Sequence, residues 1–388
     1  MKNICLLGST GYIGNNSIKV IRENQEQYRI IALGAGSNIE LLCTQIEEWK
    51  PRFAAVINAD VANELKRRLN NRANTEILHG QKGYIEIATL SDIDLTIIAM
   101  TGSSGLLPTF SSIAAGKNIA LANKETLVIA GSLLMEESRK RGVHIFPIDS
   151  EHSAIQQSMQ GHSREDLKRI MLTGSGGPFK DYSLERLSSV TPKEALQHPK
   201  WKMGKKITID SATMMNKGLE AIEAKWLFNV EMDQIEILLH PQAIIHSMVE
   251  YMDGSIIAQL APPDMRIPIS YALSYPRHLK GKFPSLNLLE IEKLSFEKPD
   301  KERFRCLDLA LRAGYIGQSM PAVLSGANEI AVNAFLGEKI GFLEIPQLIE
   351  KIMDRHEIFP IHSIDQALEA DKWAKSRARE ILDEMVEK

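Results

Sequence analysis

Cysteine is scarce in this chain of 388 residues: Cys5, Cys43 and Cys306 are odd in number and widely separated, which argues against a disulfide framework and suits a reducing compartment. An excess of charge of one sign is also missing. Lys and Arg total 46 against 49 Asp and Glu, a formal net charge of -3, so no overall basic field exists to hold nucleic acid or an anionic membrane, and neither is an expected partner. Any anionic ligand must be met by local groups. No run approaches the roughly 18 apolar residues of a membrane span, and Met1 leads almost directly into an apolar strand without the basic and hydrophobic regions of a targeting segment. The cytoplasm is the expected location. Internal repeats and low-complexity tracts are absent as well.

What is present is enough apolar material, 44% of the residues, for a sizeable core, and a length that predicts two or three domains. Asn3–Leu7 reads as a strand, the segment from Gly8 to Gly14 as a glycine turn, and Ser17–Arg22 as the opening of a helix. Apolar runs recur at Arg29–Leu33, Ala54–Ile57, Leu95–Ala99, Asn118–Leu121 and Val143–Pro147, separated by segments of helical period such as Ile39–Trp49 and Val61–Leu69. This alternation predicts an α/β fold with a Rossmann-like, doubly wound parallel sheet over residues 1–148. Polar loops follow, then the apolar run Ile207–Ile209, a helix through Asn216–Phe228, and strands at Gln234–Leu239, Ile244–Glu250 and Ser255–Leu260, which predict a central α+β catalytic domain over 149–274. Pro276, Pro284 and Pro299 mark a linker over 275–301. From Arg303 onward Leu307, Leu311, Val323, Ile330 and Leu348 fall at helical spacings, predicting a C-terminal helical domain over 302–388.

In Gly8-Ser9-Thr10-Gly11-Tyr12-Ile13-Gly14 the glycines permit a tight turn and close approach of a phosphate, and the following helix N-terminus offers free N–H groups to a pyrophosphate. A plain strand-to-helix turn is the alternative; the position after the first strand favours a dinucleotide. The end of the second strand, where a carboxylate usually holds the ribose of NAD, reads Gly34-Ala35-Gly36-Ser37-Asn38. Without that acid a 2′-phosphate is not repelled, and Ser37 and Asn38 can donate to it, which favours NADPH.

Ala122-Asn123-Lys124-Glu125 follows a predicted strand, at the edge where open α/β sheets bind ligands, although a Lys and a Glu there also suit a simple helix start. Ile148-Asp149-Ser150-Glu151-His152 follows another. In a regular strand Asp149 and Glu151 share a face and offer hard oxygen ligands for Mg²⁺ or Mn²⁺, with an acidic helix cap as the alternative. In Asp210-Ser211-Ala212-Thr213-Met214-Met215-Asn216-Lys217-Gly218-Leu219-Glu220, a helix from about Thr213 puts Asn216 and Glu220 on one face with Lys217 beside them. Carboxylate, amide and ammonium together suit a metal-bound, phosphorylated small molecule; a solvated Lys/Glu pair is the common alternative. Thr173-Gly174-Ser175-Gly176-Gly177-Pro178-Phe179 can form an anion nest or a flexible connector. His198-Pro199-Lys200-Trp201-Lys202-Met203-Gly204 has the make-up of a lid over a ligand.

Taken in order, Gly8-Ser9-Thr10-Gly11, Ala122-Asn123-Lys124-Glu125, Asp149-Ser150-Glu151-His152, Gly174-Ser175-Gly176-Gly177-Pro178-Phe179, His198-Pro199-Lys200-Trp201 and Ser211 to Glu220 closely resemble the 1-deoxy-D-xylulose 5-phosphate reductoisomerase family, along nearly the whole chain. The resemblance implies NADPH-dependent conversion of 1-deoxy-D-xylulose 5-phosphate to 2-C-methyl-D-erythritol 4-phosphate in the non-mevalonate isoprenoid pathway, in a homodimer with a mobile lid near 198–204, and inhibition by fosmidomycin. It further implies that Asp149, Glu151 and Glu220 hold Mg²⁺ or Mn²⁺ and, with Lys124, form the catalytic set. Ser175, Ser211, Asn216 and Lys217 would bind phosphate with His198 close by, Lys124 and Ser150 would meet the reacting end, and Trp201 and Met203 would cover the pocket. Thr10, Gly11, Tyr12, Ile13, Gly36, Ser37, Asn38, Asn123, Glu125 and Gly204 would line the NADPH site. Either a retro-aldol/aldol sequence or a direct α-ketol shift satisfies the conversion. Tyr12 stands where a Ser is common in the family, Ser37 where some members have Lys, and Ala243 where some have Ser.

Two rival readings compete with this one. A dehydrogenase resembling the semialdehyde dehydrogenases needs a nucleophilic Cys in a polar pocket, whereas Cys5, Cys43 and Cys306 sit in a predicted strand and two predicted helices. An NADPH-sensing regulatory module would keep the glycine turn and have no need of three acids.

Overall fold

The computed structural model describes residues 1–70, 72, 74–197, 201 and 203–386. The first stretch alternates β1 (Lys2–Leu7), α1 (Tyr12–Arg22), β2 (Tyr28–Gly34), α2 (Ile39–Trp49), β3 (Phe53–Val56), α3 (Ala59–Leu69), β4 (Glu76–His79), α4 (Gly80–Ala88), β5 (Leu95–Ile98), α5 (Leu106–Ala114), β6 (Asn118–Leu121), α6 (Lys124–Arg141), β7 (Ile145–Pro147) and α7 (Ser150–Met159). There follow β8 (Leu167–Gly174), α8 (Leu184–Ser188), α9 (Pro192–Ala195), α10 (Lys205–Ala212), α11 (Met215–Phe228), β9 (Ile235–Leu239), β10 (Ile245–Tyr251), β11 (Ile256–Leu260) and α12 (Arg266–Ser274). Four helices close the chain: α13 (Arg305–Ile316), α14 (Met320–Leu336), α15 (Glu344–Asp354) and α16 (Ile364–Val386).

Two compact units result, one of Met1–Thr126, Leu134–Ser153 and Asp264–Phe283, the other of Leu127–Leu133, Ala154–Pro263 and Pro284–Lys388. In the first, seven parallel strands run in the order β4-β3-β2-β1-β5-β6-β7. The chain builds outward from β1 to β4, then crosses to β5 on the other side of β1, so the switch point of the sheet lies between β1 and β5. Strands covered on both faces read as continuous apolar runs, as Ile4 to Leu7 and Leu95 to Ile98 do, all of them buried.

In the second unit β11-β10-β8-β9 form a mixed sheet, antiparallel between β11, β10 and β8 and parallel between β8 and β9. The central strand β8 was not read from the sequence, because its polar start, Lys168-Arg169, hides the apolar Ile170 to Leu172. β4 also escaped, being a four-residue edge strand. Ile207–Ile209, β-branched throughout, lies inside α10; tertiary packing overrides that local strand preference.

The compact units cut across the boundaries read from the sequence. Ile269, Ala272 and Leu273 of α12 share the core of Ile4, Leu6 and Ile97 in the parallel-sheet unit, and Tyr275, Leu279 and Phe283 of the expected linker pack against it. The C-terminal helices belong to the same unit as the mixed sheet: a Cβ on Gly218 of α11 would lie 2.2 Å from Cβ of Ala310 in α13. Hydrophobic period marks where elements are, and leaves open which of them pack together.

Candidate functional site

At the carboxyl end of β1 the turn is as tight as the glycines require. Gly8 has φ 89°, and a Cβ on it would lie 2.3 Å from the Ala99 carbonyl oxygen; one on Gly14 would lie 2.2 Å from that of Gly8. The turn is braced from outside, since Gln45 donates to the Ser9 carbonyl at 3.0 Å and Asn15 to those of Thr10 and Gly11 at 3.1 and 2.9 Å. α1 begins at Tyr12, earlier than the sequence suggested, and Gly11 at its N-cap supplies no side-chain acceptor, so no cap competes with an anion for its first N–H groups. Thr10 and Ile13 are half-buried, whereas Tyr12 is 42% exposed. After β2, Gly36, Ser37 and Asn38 are exposed, and a Cβ on Gly36 would meet nothing within 4 Å. Asn38 caps α2 by accepting from the Leu41 N–H at 3.3 Å, so its amide N–H₂ is the part left to donate.

Three further strand ends complete this edge of the sheet. Asn123 caps α6, its Oδ1 accepting from the Thr126 N–H and hydroxyl, both at 2.9 Å. Its amide donates to the Met100 carbonyl at 2.7 Å and the Gly102 carbonyl at 2.9 Å, tying the end of β6 to the turn after β5. Both amide hydrogens are thereby committed, so this side chain shapes the switch point rather than reaching out to a ligand. Lys124 and Glu125, both buried, open α6. Lys124 Nζ lies 2.7 Å from Asp149 Oδ2. Asp149 and Glu151 do not share a strand face as the sequence reading supposed: Asp149 precedes α7, its carbonyl accepting from the Ser153 N–H at 2.9 Å, and Glu151 is in the first helical turn. The Ser150 hydroxyl donates to Glu151 Oε2 at 2.5 Å. His152, fully buried, places Nδ1 3.8 Å from Asp149 Oδ2.

The second unit assembles its own polar group around the loop after β8. Gly176 and Gly177 have φ 89° and 71°; a Cβ on Gly174 would lie 2.8 Å from Lys217 Cε, and one on Gly177 2.6 Å from the Ser211 carbonyl oxygen. The loop carrying Ser175 is thus in contact with both Ser211 and Lys217. The helix expected from Thr213 is broken: α10 ends at Ala212, Met214 adopts φ 60°, and α11 starts at Met215. From that start Asn216 donates to Glu220 Oε1 and Lys217 to Glu220 Oε2, each at 2.5 Å. Lys217 and Glu220 are both buried, so the solvated-pair alternative fails. Trp201 is half-buried with its ring 6.1 Å from that of His246; Met203 is half-buried, and Gly204 caps α10. His198 lies outside the described residues.

Two residues of this unit were missed in the sequence. His246 on β10 is buried, bonds the Ala261 carbonyl through Nε2 at 3.1 Å, and is driven below the usual histidine range first by burial and further by nearby Lys217. Glu223, one turn beyond Glu220, is 1% exposed; its three-residue spacing from Glu220 was the available signal. The thiols fit no nucleophile: Cys5 in β1 and Cys306 in α13 are pushed far up by burial, and Cys43 in α2 is raised by the same cause.

A glycine turn at the switch point of a parallel sheet whose neighbouring strand ends carry Lys124 and the carboxylates Asp149 and Glu151 defines a dinucleotide-dependent oxidoreductase. Comparison with known proteins narrows the class. A family profile described as 1-deoxy-D-xylulose 5-phosphate reductoisomerase matches residues 4–131, its C-terminal domain matches 145–228, and a DXP reductoisomerase C-terminal domain matches 260–377. The chain belongs to the 1-deoxy-D-xylulose 5-phosphate reductoisomerase family. The relative of that name from Citrifermentans bemidjiense is 51% identical over 382 residues, covering 98% of this chain and 99% of its own. That from Pelodictyon phaeoclathratiforme is 50% identical, covering 98% and 100%. Among solved structures, the Zymomonas mobilis enzyme in complex with NADPH superimposes with a TM-score of 0.91 at 41% identity, covering 98% of this chain and 99% of that one. A DOX-P reductoisomerase in complex with NADPH, fosmidomycin and magnesium gives 0.94 at 38% identity, covering 100% and 98%.

Proposed function

We infer that this chain is an NADPH- and divalent-metal-dependent enzyme that rearranges and reduces 1-deoxy-D-xylulose 5-phosphate to 2-C-methyl-D-erythritol 4-phosphate, the step its family performs in the non-mevalonate isoprenoid pathway. The observation that carries the reading is the buried Lys217–Glu220 pair, joined by half-buried Asn216, against the Ser175 loop, in a chain about half identical to reductoisomerases over nearly its whole length. NADPH takes the switch point of the parallel sheet. Thr10, Gly11, Tyr12 and Ile13 receive its pyrophosphate, and Gly36, Ser37 and Asn38 its 2′-phosphate; Glu125 and Gly204 complete the lining, and Asn123 holds the adjoining turn.

For the cation we assign Asp149, Glu151 and Glu220. Carboxylate oxygens, with a hydroxyl next to two of them and no thiol among them, are the donor chemistry that Mg²⁺ and Mn²⁺ require. When bound, the cation supplies positive charge for the substrate oxygens that become anionic, and NADPH supplies hydride. The chain's own groups do the rest. Lys124 Nζ and the Ser150 hydroxyl donate to the reacting end, and Lys217 with Ser175, Ser211 and Asn216 fixes the phosphate, His198 standing close to it. Trp201 and Met203 cover the ligand and keep water from it. His246, neutral at physiological pH, adds no charge beside Lys217.

The enzyme works as a cytoplasmic homodimer. β11 is an edge strand with Ile256 53% and Leu260 37% exposed, a face suited to a second copy. Among the described residues no helix is long and apolar enough to cross a membrane. Mixing protein, NADPH, Mn²⁺ and 1-deoxy-D-xylulose 5-phosphate tests the function: absorbance at the nicotinamide band falls, and chelator abolishes the fall. Turnover that survives chelator contradicts it.

A further inference from the structure

The phosphate-binding turn stands on a buried polar contact from a distant part of the chain. Asp210, the residue before Ser211, is 1% exposed, and its two oxygens are divided: Oδ2 lies 2.8 Å from Lys206 Nζ, and Oδ1 accepts from the Asn328 amide at 2.8 Å. Asn328 is fully buried in the middle of α14, an otherwise largely apolar helix, and its Oδ1 has no hydrogen-bond partner. Three features of this arrangement oppose stability. A carboxylate is withdrawn from water, it sits in the last turn of α10 where the helix dipole disfavours an anion, and an amide oxygen is buried unsatisfied. An apolar pair of similar volume would pack there without those costs.

What the contact does is hold the end of α10. Immediately beyond it the backbone breaks at Met214, with φ 60°, before α11 presents Asn216 and Lys217. A non-glycine residue in that region persists only where its surroundings fix it. The far side of the break is fixed by Gly218 flush against Ala310 of α13; the near side is fixed by Asp210 against Asn328 of α14. The Ser211 carbonyl in turn abuts Gly177, so any shift of α10 moves both Ser211 and the Ser175 loop.

We propose that Asn328 is a positioning residue for substrate phosphate: through Asp210 it sets where Ser211, Asn216 and Lys217 stand, without touching the ligand itself. The proposal rests on the reading of those residues as the phosphate subsite. A selective effect follows. Losing the contact weakens recognition of the phosphate and leaves the dinucleotide site unaffected, which general loss of stability would not do.

The test uses the full-length enzyme with Asn328→Leu, the exchanged pair Asp210→Asn/Asn328→Asp, and Ser211→Ala. Asn328→Leu is expected to raise KM for the phosphorylated substrate roughly tenfold, the scale of one charge-assisted hydrogen bond. Competitive inhibition by inorganic phosphate should weaken in parallel, with kcat and NADPH affinity held within about twofold. The exchanged pair, which keeps a donor facing a carboxylate, should restore much of the KM, and Asn328→Ala, which removes the same amide donor, takes the place of Asn328→Leu if that one does not fold. Equal losses in KM, kcat and NADPH affinity, or a Ser211→Ala enzyme with raised KM beside an Asn328→Leu enzyme with normal KM, overturn the positioning role. A Ser211→Ala enzyme with unchanged KM and phosphate inhibition overturns the phosphate subsite instead.

Discussion

Gly177 and Ser211 meet backbone to backbone: a Cβ on Gly177 would lie 2.6 Å from the Ser211 carbonyl oxygen, and Gly177 itself has φ 71°. Overlap and strain act together there, so Gly177→Ala is expected to cost about 1–3 kcal/mol in stability. It should also raise KM for the phosphorylated substrate while NADPH affinity is kept. Denaturant unfolding and steady-state kinetics check the two parts; a variant with wild-type stability and KM contradicts the contact.

Gly14→Ala should act on the other ligand. Its new methyl would fall 2.2 Å from the Gly8 carbonyl oxygen, forcing open the turn between β1 and α1. NADPH affinity, followed by nicotinamide fluorescence, is expected to drop at least tenfold, with substrate-analogue binding little changed.

Asn123→Asp separates the two jobs of that side chain. The carboxylate keeps the cap on Thr126 but has no hydrogens for the Met100 and Gly102 carbonyls, which it would instead repel. The expected loss is about 2–6 kcal/mol at neutral pH, from roughly 1–3 for each of the two acceptors left unmet, together with weaker NADPH binding. If chemical denaturation shows Asn123→Asp as stable as wild type, the cap alone matters.

The glycine turn, six of the seven strands of the parallel sheet and the Asn216–Glu220 spacing were legible because each is a local pattern: a φ requirement, an apolar run, a helical repeat. The pairing of Asp149 with Glu151 was read on a strand face, whereas helix α7 begins between them. What stayed hidden depends on contacts the chain makes only once folded. Asn123 is committed to carbonyls more than 20 residues away, and Asn328 to a carboxylate 118 residues away. No period in the sequence carries such pairings. The break at Met214 was equally invisible, because methionine gives no sign of the left-handed backbone it adopts.

Stability should fall in mild acid. Burial lowers the pKa of His246, and likewise that of His356, below the ordinary 6.5. As pH drops through 6.5 the unfolded chain takes up protons that the folded imidazoles refuse, so unfolding is increasingly favoured until the folded groups also titrate. Melting temperatures between pH 7.5 and pH 5.5 should decline, and His246→Gln should decline less steeply. An identical slope in the variant contradicts the assignment of His246.

The central claim is that Asp149, Glu151 and Glu220 serve one divalent cation. Titration of Mn²⁺ into the protein with substrate present, read by the loss of the free-ion electron paramagnetic resonance signal, addresses it directly. One tightly held ion per chain is predicted, and Asp149→Asn, Glu151→Gln and Glu220→Gln should each weaken that same ion while leaving NADPH affinity intact. A wild-type titration from any one of the three variants would contradict the account.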